Sequence, residues 1–426
     1  MNRSFTLVFS LGLAVGVALL SAADWPQWRG PSRDGISSET GLLKEWPAGG
    51  PKLLWQVKDL GDGFSAPAIV GDRIFDISSK GDDNEFVQAL STRDGKQLWS
   101  TKIGGVGPNT PGNNYPGSRS TPTVDGDRIY ALGSDGDLAA LETATGKIVW
   151  QLNLRKNFGG KPGNWAYAES PLIDGDALVC TPGGPTATLI ALNKKTGDPL
   201  WTCAVPEGDN AAYSSVVVVN GGGVKQYVQF VSKGLVGVEA KTGKLLWRYD
   251  NSAKGSPANI PTPVSRKDFV YSASSKGGGG LVKLTPSDGG IKAAEVYINS
   301  KLPTAIGGAI ELNGYLYGTN GQGLLCADYA TGDLKWQERG IGAGSVCYAD
   351  GMLYWHSENS GEVALVEATP DAYREKGRFK PADMPSKRAS LEKAKDGRAW
   401  AYPAVANGRL YIRDWNCLWC YDVKAQ

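Results

Sequence analysis

One short segment recurs along this 426-residue chain and leaves little choice of architecture. It reads Ala89-Leu90-Ser91-Thr92-Arg93-Asp94-Gly95-Lys96-Gln97-Leu98-Trp99 and returns as Ala140-Leu141-Glu142-Thr143-Ala144-Thr145-Gly146-Lys147-Ile148-Val149-Trp150. Three further copies end at Trp201, Trp247 and Trp336, weakened ones at Tyr297 and Phe379, and Trp55 carries the tail of the unit without its front. Alternating apolar residues run into a Gly turn, and the second arm carries the aromatic, so each unit predicts a β-hairpin. Glycine serves there because the turn demands positive φ. A second hairpin precedes the unit, clearest over 121–130, with turns at Gly71-Asp72, Asp125-Gly126, Asp174-Gly175, Asn313-Gly314, Asp350-Gly351 and Asn407-Gly408. Each repeat is therefore four antiparallel strands, A to D, and the D-strand aromatics recur about every 46 residues, the period of propeller blades.

The ends decide the count. Eight D-strand positions occur, yet the last A-B-C set, from Tyr402 to Asp422, has no D strand after it, and the Trp55 strand has no A-B-C before it. Placing Leu53–Val57 beside Cys417–Val423 joins the two orphans and hides an open sheet edge. The expectation is an all-β, eight-bladed propeller of four-stranded antiparallel blades, closed by the N-terminal strand. It divides into a signal peptide (1–23), an extension (24–51) and the propeller (52–426), with a loop insertion over 381–399 carrying a short helix at Ser386–Lys395. Arg3, the apolar run from Phe5 to Leu20 and Ser21-Ala22-Ala23 predict a leader cleaved after Ala23, hence a periplasmic or secreted protein. No cysteine precedes Cys180, so the leader lacks a lipid-acylation site. A formal charge of +2 gives no field to recruit nucleic acid, and the chain reads as a monomer.

Six cysteines invite a disulfide reading. Cys326 and Cys420 fall where other blades carry Ala89, Ala140, Ala191 and Gly237, so they read as buried thiols. Pairing among Cys180, Cys203, Cys347 and Cys417 stays open. With His356 the sole histidine, a histidine metal cluster is excluded. The acidic Asp82-Asp83-Asn84-Glu85 reads as a solvated loop.

The unit Ala-Leu-x-x-x-Thr-Gly-Lys-x-x-Trp resembles the tryptophan-docking motif of the pyrroloquinoline-quinone (PQQ) repeat superfamily over roughly residues 50–426. That superfamily holds quinoprotein alcohol dehydrogenases and the propeller lipoprotein of outer-membrane barrel assembly. The opening Asp24-Trp25-Pro26-Gln27-Trp28-Arg29-Gly30-Pro31 and closing Leu410-Tyr411-Ile412-Arg413-Asp414 look like a group of secreted PQQ-like propellers. Dehydrogenases of this kind imply PQQ over the axis, a calcium ion, a catalytic aspartate and typically a disulfide between adjacent cysteines. No Cys-Cys pair occurs, and Cys417 and Cys420 lie three apart in one strand, on opposite faces.

The D–A and B–C connections share one face and include the long ones: 101–119, 153–169, 203–213, 250–260 and 381–400. Near the starts of A strands most blades carry small residues; the exceptions are Arg119, Trp165, Tyr167, Glu169, Tyr213, Trp400 and Tyr402. Aromatic planes beside one cation and one carboxylate suit a ligand at this face, either a protein or a carbohydrate, or else they fill the wide hole of the ring. The reading is a non-catalytic binding or interaction scaffold, with no cofactor or metal assigned. The alternatives are a PQQ- and calcium-dependent oxidoreductase acting on an alcohol or sugar, and a polysaccharide-acting enzyme for which Glu169 is the visible carboxylate.

Overall fold

The computed structural model describes residues 23–107, 117–206, 208–288, 290–385 and 398–425. The signal peptide expected over 1–23, up to residue 22, and the helix expected at Ser386–Lys395 lie outside the described residues. Eight antiparallel sheets follow one another. Blade 1 runs from Ala68 to Gly104, blade 2 from Thr123 to Asn153, blade 3 from Leu172 to Cys203 and blade 4 from Val217 to Tyr249. Blade 5 runs from Val264 to Asn299, blade 6 from Ala309 to Glu338 and blade 7 from Gly344 to Phe379. Blade 8 runs from Ala404 to Asp422 and takes Lys52–Val57 as its outer strand.

The recurring aromatic joins neighbours. Trp99 Nε1 donates to the Thr143 carbonyl of blade 2 at 3.1 Å. Its ring lies over Gly146, where a Cβ would come within 2.4 Å of it, so that glycine answers both the φ of +71° and the ring. Trp55, Trp150, Trp201 and Trp336 donate in the same way to Thr92, Lys194, Ala240 and Thr369, and the Tyr297 hydroxyl does so to Tyr329. Two seams differ. Trp247 turns to Gln226 Oε1 at 2.5 Å in its own blade, where the long hairpin Gly278–Ser287/Gly290–Asn299 packs beside it. Phe379 packs instead on Trp46 and Tyr421.

In the closing blade Trp55 stands opposite Cys420. Arg413 of the same blade is fully buried, 2.5 Å from Asp76 of blade 1, and also donates to Ser65 O, Ile77 O and Ser78 Oγ. A buried pair of this kind gives little net stability, but losing one partner strands a charge. All six cysteines are buried thiols. Cys326 faces Trp336 and Cys420 faces Trp55, where Ala89, Ala140, Ala191 and Gly237 face the other D-strand tryptophans, so each tryptophan has a small residue opposite it, while Leu281 stands opposite Tyr297.

The axial hole is filled by a segment the repeat says nothing about. Residues 24–39 form a strap through it. Asp24 accepts from Gly71 N at the A–B turn of blade 1, and Trp25 exchanges two main-chain hydrogen bonds with Ile69. Pro26 O accepts from Val124 of blade 2, Arg33 reaches Ser170 O and Pro171 O ahead of blade 3, and Trp28 Nε1 donates to Thr262 ahead of blade 5. Arg29 donates to Ala309 O of blade 6. Ile36–Ser37 then adds a parallel strand to blade 7, and Ser37 Oγ donates to Val405 O of blade 8. Glu39 accepts from Asn407 N and Gly408 N, back at the A–B face where the strap began.

Candidate functional site: an aromatic well on the axis

Each blade passes the chain to the next through a D–A connection that arrives on one face. These connections wall a cavity of about 290 Å³ above the strap. Trp28, at the top of the strap, lines it from below. Phe64 enters ahead of blade 1, Arg119 ahead of blade 2, Trp165 and Ala168 ahead of blade 3, and Tyr213 ahead of blade 4. Ala258 and Ile260, Ile306, and Trp400 with Tyr402 complete the wall from the leads into blades 5, 6 and 8.

The rings brace one another. Trp28 meets Tyr402 edge-on at 4.4 Å, Phe64 meets Trp400 at 4.9 Å, and Trp165 meets Tyr213 at 5.7 Å. The polar tips are engaged: the Tyr402 hydroxyl donates to Ile306 O at 2.7 Å, and the Tyr213 hydroxyl accepts from Trp165 N. The lumen is thus faced mainly by ring and methyl surface. Arg119 is half-buried, with its guanidinium 5.7 Å from the Phe64 ring and Nη1 donating to Gly117 O. Burial pulls its pKa down to about 10, against the opposing pull of Tyr213 and Glu85, so it stays charged at neutral pH.

Five of the residues singled out in the sequence, Arg119, Trp165, Tyr213, Trp400 and Tyr402, meet in the well. Tyr167 and Glu169 are not among the lining residues. Ala166 adopts φ +65°, which breaks the alternation that would align residues 165, 167 and 169. Tyr167 is buried between blades 2 and 3, its hydroxyl donating to Pro182 O. Glu169 accepts from Thr181 N, Thr181 Oγ1 and Gln229 Nε2, stitching blade 3 to blade 4, and burial pushes its pKa up to about 8. Glu85 also departs from expectation. It opens strand C of blade 1, fully buried, holding Ser118 and Ser134, with its pKa pushed by burial to about 7. His356 is buried with Nδ1 3.2 Å from Ala401 O, between the two blade-8 residues of the well. Trp28, Phe64, Ile260 and Ile306 escaped the sequence reading. Trp28 had a signal, the dense aromatic and basic run from Asp24 to Pro31; the isoleucines had none.

PQQ, which the superfamily implies, is a flat polyanion whose carbonyl chemistry needs a cation and several donors. Among the described residues the well offers flat surfaces and one guanidinium. Among the described residues no group of three or more His, Cys, Asp or Glu side chains is placed to hold a metal. Glu85 and Glu169 are turned into blade seams, and Glu358 is engaged by Arg398 and Trp400. The described lining residues therefore do not fit a metal–quinone pair, nor do they present the two carboxylates of a glycosidase.

The blades, the docking motif and the axial well define a PQQ-type propeller. The chain belongs to the family whose model is described as outer membrane protein assembly factor BamB, matched over residues 35–186 and 167–372. BamB of Salmonella typhimurium is 28% identical over 140 residues, 33% of this chain and 31% of that protein. Tetrathionate hydrolase of Acidithiobacillus ferrooxidans is 26% identical over 231 residues, 52% of this chain and 43% of the relative. The alignments with the first curated relatives thus span from 31% to 64% of those proteins' length. BamB from Moraxella catarrhalis superposes with a TM-score of 0.59 at 14% identity, covering 84% of this chain and 94% of that one. Quinohemoprotein alcohol dehydrogenase from Comamonas testosteroni gives 0.60 at 12%, covering 95% and 81%. At these identities the two structures show a shared fold. Among the described residues no helix is long and apolar enough to cross a membrane.

Proposed function

We propose that the protein is an exported, non-catalytic binding propeller whose axial well receives an apolar group of a partner. The observation that carries this is the convergence of six aromatic side chains, delivered by the strap, by three separate D–A connections and by the lead into blade 1, on one cavity. Rigid rings contributed by distant parts of the chain give contact area at low entropic cost. A carbohydrate would need donors and acceptors in the lumen, and the tyrosine hydroxyls are already engaged, so an apolar group fits better. Family relatives named for outer-membrane protein assembly favour a protein as the partner, and the leader-like first 23 residues favour a place outside the cytoplasm. The test is titration of the purified protein with a fluorescent apolar probe, comparing the native chain with Trp28→Ala and Trp400→Ala. Saturable binding lost in both variants, with unchanged far-UV circular dichroism, supports the reading. Substrate-dependent dye reduction after adding PQQ and calcium, with a panel of alcohols and sugars, would overturn it.

A further inference from the structure

The well is apolar but not electrically neutral. Among the described residues that line it, Arg119 alone carries a charge, half-buried among aromatic rings where desolvating a guanidinium is costly. A second cation stands behind the wall. Arg29 is fully buried, its guanidinium 5.9 Å from the Tyr402 ring, and among the described residues its Nε and Nη1 have no hydrogen-bond partner. Arg33, also buried, lies close enough to Arg29 for the two charges to repel. Against these, Glu85 and Glu169 are held in blade seams by Ser118, Ser134 and Thr181, and burial drives both toward the neutral acid near pH 7–8. Asp34 stands near Arg29, Glu169 near Arg33, and Glu358 is engaged by Arg398 and Trp400, so what the lining itself offers is the Arg119 charge inside a low-dielectric wall, where a negative charge is attracted far more strongly than in water.

We propose that the well selects an apolar monocarboxylate, its aromatic or hydrocarbon body packed against Trp28, Trp165 and Trp400 and its carboxylate paired with Arg119. This rests on the binding-propeller reading and specifies its ligand. A planar guanidinium grips a carboxylate through two parallel N–H donors, and the cavity of about 290 Å³ lies at the small end of ligand pockets, room for one ring and its short chain. The same chemistry comes from a free small acid or from the last residue of a polypeptide.

The experiment uses the purified full chain, with binding followed by calorimetry and by the fluorescence of the three well tryptophans. The probes are 3-phenylpropionate and its neutral amide, then N-acetylphenylalanine and its amide. The expected result is that each acid binds about tenfold more tightly than its amide, the worth of one charge-assisted contact. Arg119→Met should bring acid and amide within about twofold of each other, and Arg119→Lys should retain part of the preference. Tighter binding of the free acid assigns a small-molecule source; tighter binding of N-acetylphenylalanine assigns a polypeptide end. Equal binding of acid and amide to the native chain, or a preference that survives Arg119→Met, overturns the charge inference and leaves the apolar well standing. No binding of either neutral or charged probe overturns both.

Discussion

The perimeter of the ring and its axis obey different rules. On the perimeter the same contact is made again and again: an aromatic from one blade donates to a carbonyl and lies over a glycine of the next, at Trp55, Trp99, Trp150 and Trp201. On the axis a short run repeats, Thr121 N to Ser170 Oγ, Ser170 N to Ser215 Oγ and Ser215 N to Thr262 Oγ1, but the contacts of the strap and the well do not. The strap makes a different bond with each blade it touches, and the D–A connections contribute unequally to the well, with none of its described lining residues coming from the lead into blade 7. Repetition builds a rigid frame, and the unrepeated segments held inside it are free to carry binding. Function in this fold is therefore to be sought where the period fails.

That contrast can be broken by mutation. The largest loss should come from Arg413→Met, which leaves Asp76 buried without its partner and should destabilise by about 3–5 kcal/mol in urea unfolding. Trp55→Ala, which empties the closing seam, should cost roughly 3 kcal/mol. Trp28→Ala should cost only about 1 kcal/mol, since it widens a cavity that already exists, while well binding is lost. If Trp28→Ala proved as damaging as Trp55→Ala, frame and site would not be separable. A pH series sharpens the point. Glu85 and Glu169 hold a proton more tightly folded than unfolded, from an ordinary 4.5 to about 7 and about 8, so stability should fall as pH rises through that window. Glu85→Gln and Glu169→Gln should each flatten the decline in unfolding midpoint between pH 5 and pH 8. The smallest effects belong to the outer strands: Leu98→Thr and Leu200→Thr, at 50% and 52% exposure, should shift stability by less than about 0.5 kcal/mol.

The same division explains what could be read from residues alone. Blade number, strand order and the fit of Cys326 and Cys420 opposite an aromatic were legible because each is stated several times in the repeat, and misreading one copy changes nothing. The well was legible in part. Arg119, Trp165, Tyr213, Trp400 and Tyr402 stand out as large residues at positions that are small elsewhere. Tyr167 and Glu169 stand out equally, and only the left-handed Ala166 sends them elsewhere, a backbone turn with no residue signature since alanine rarely adopts it. The strap was invisible for a different reason. Its partners are separated from it by up to 369 residues, and no local period links Ser37 to Val405.

That separation has a consequence for how the molecule is made. Residues near 37 emerge from the ribosome first and must wait for residues near 405 before their partners exist. At about 5–20 residues per second the interval is roughly 20–70 s. During it the open edge of blade 1, the strap and the lone outer strand have nothing to pair with, and an unpaired strand edge is a template for the wrong chain. Ring closure is a late event of high contact order, slower than the folding of any single blade. The nascent chain is therefore most exposed to aggregation just before the last two strands are joined.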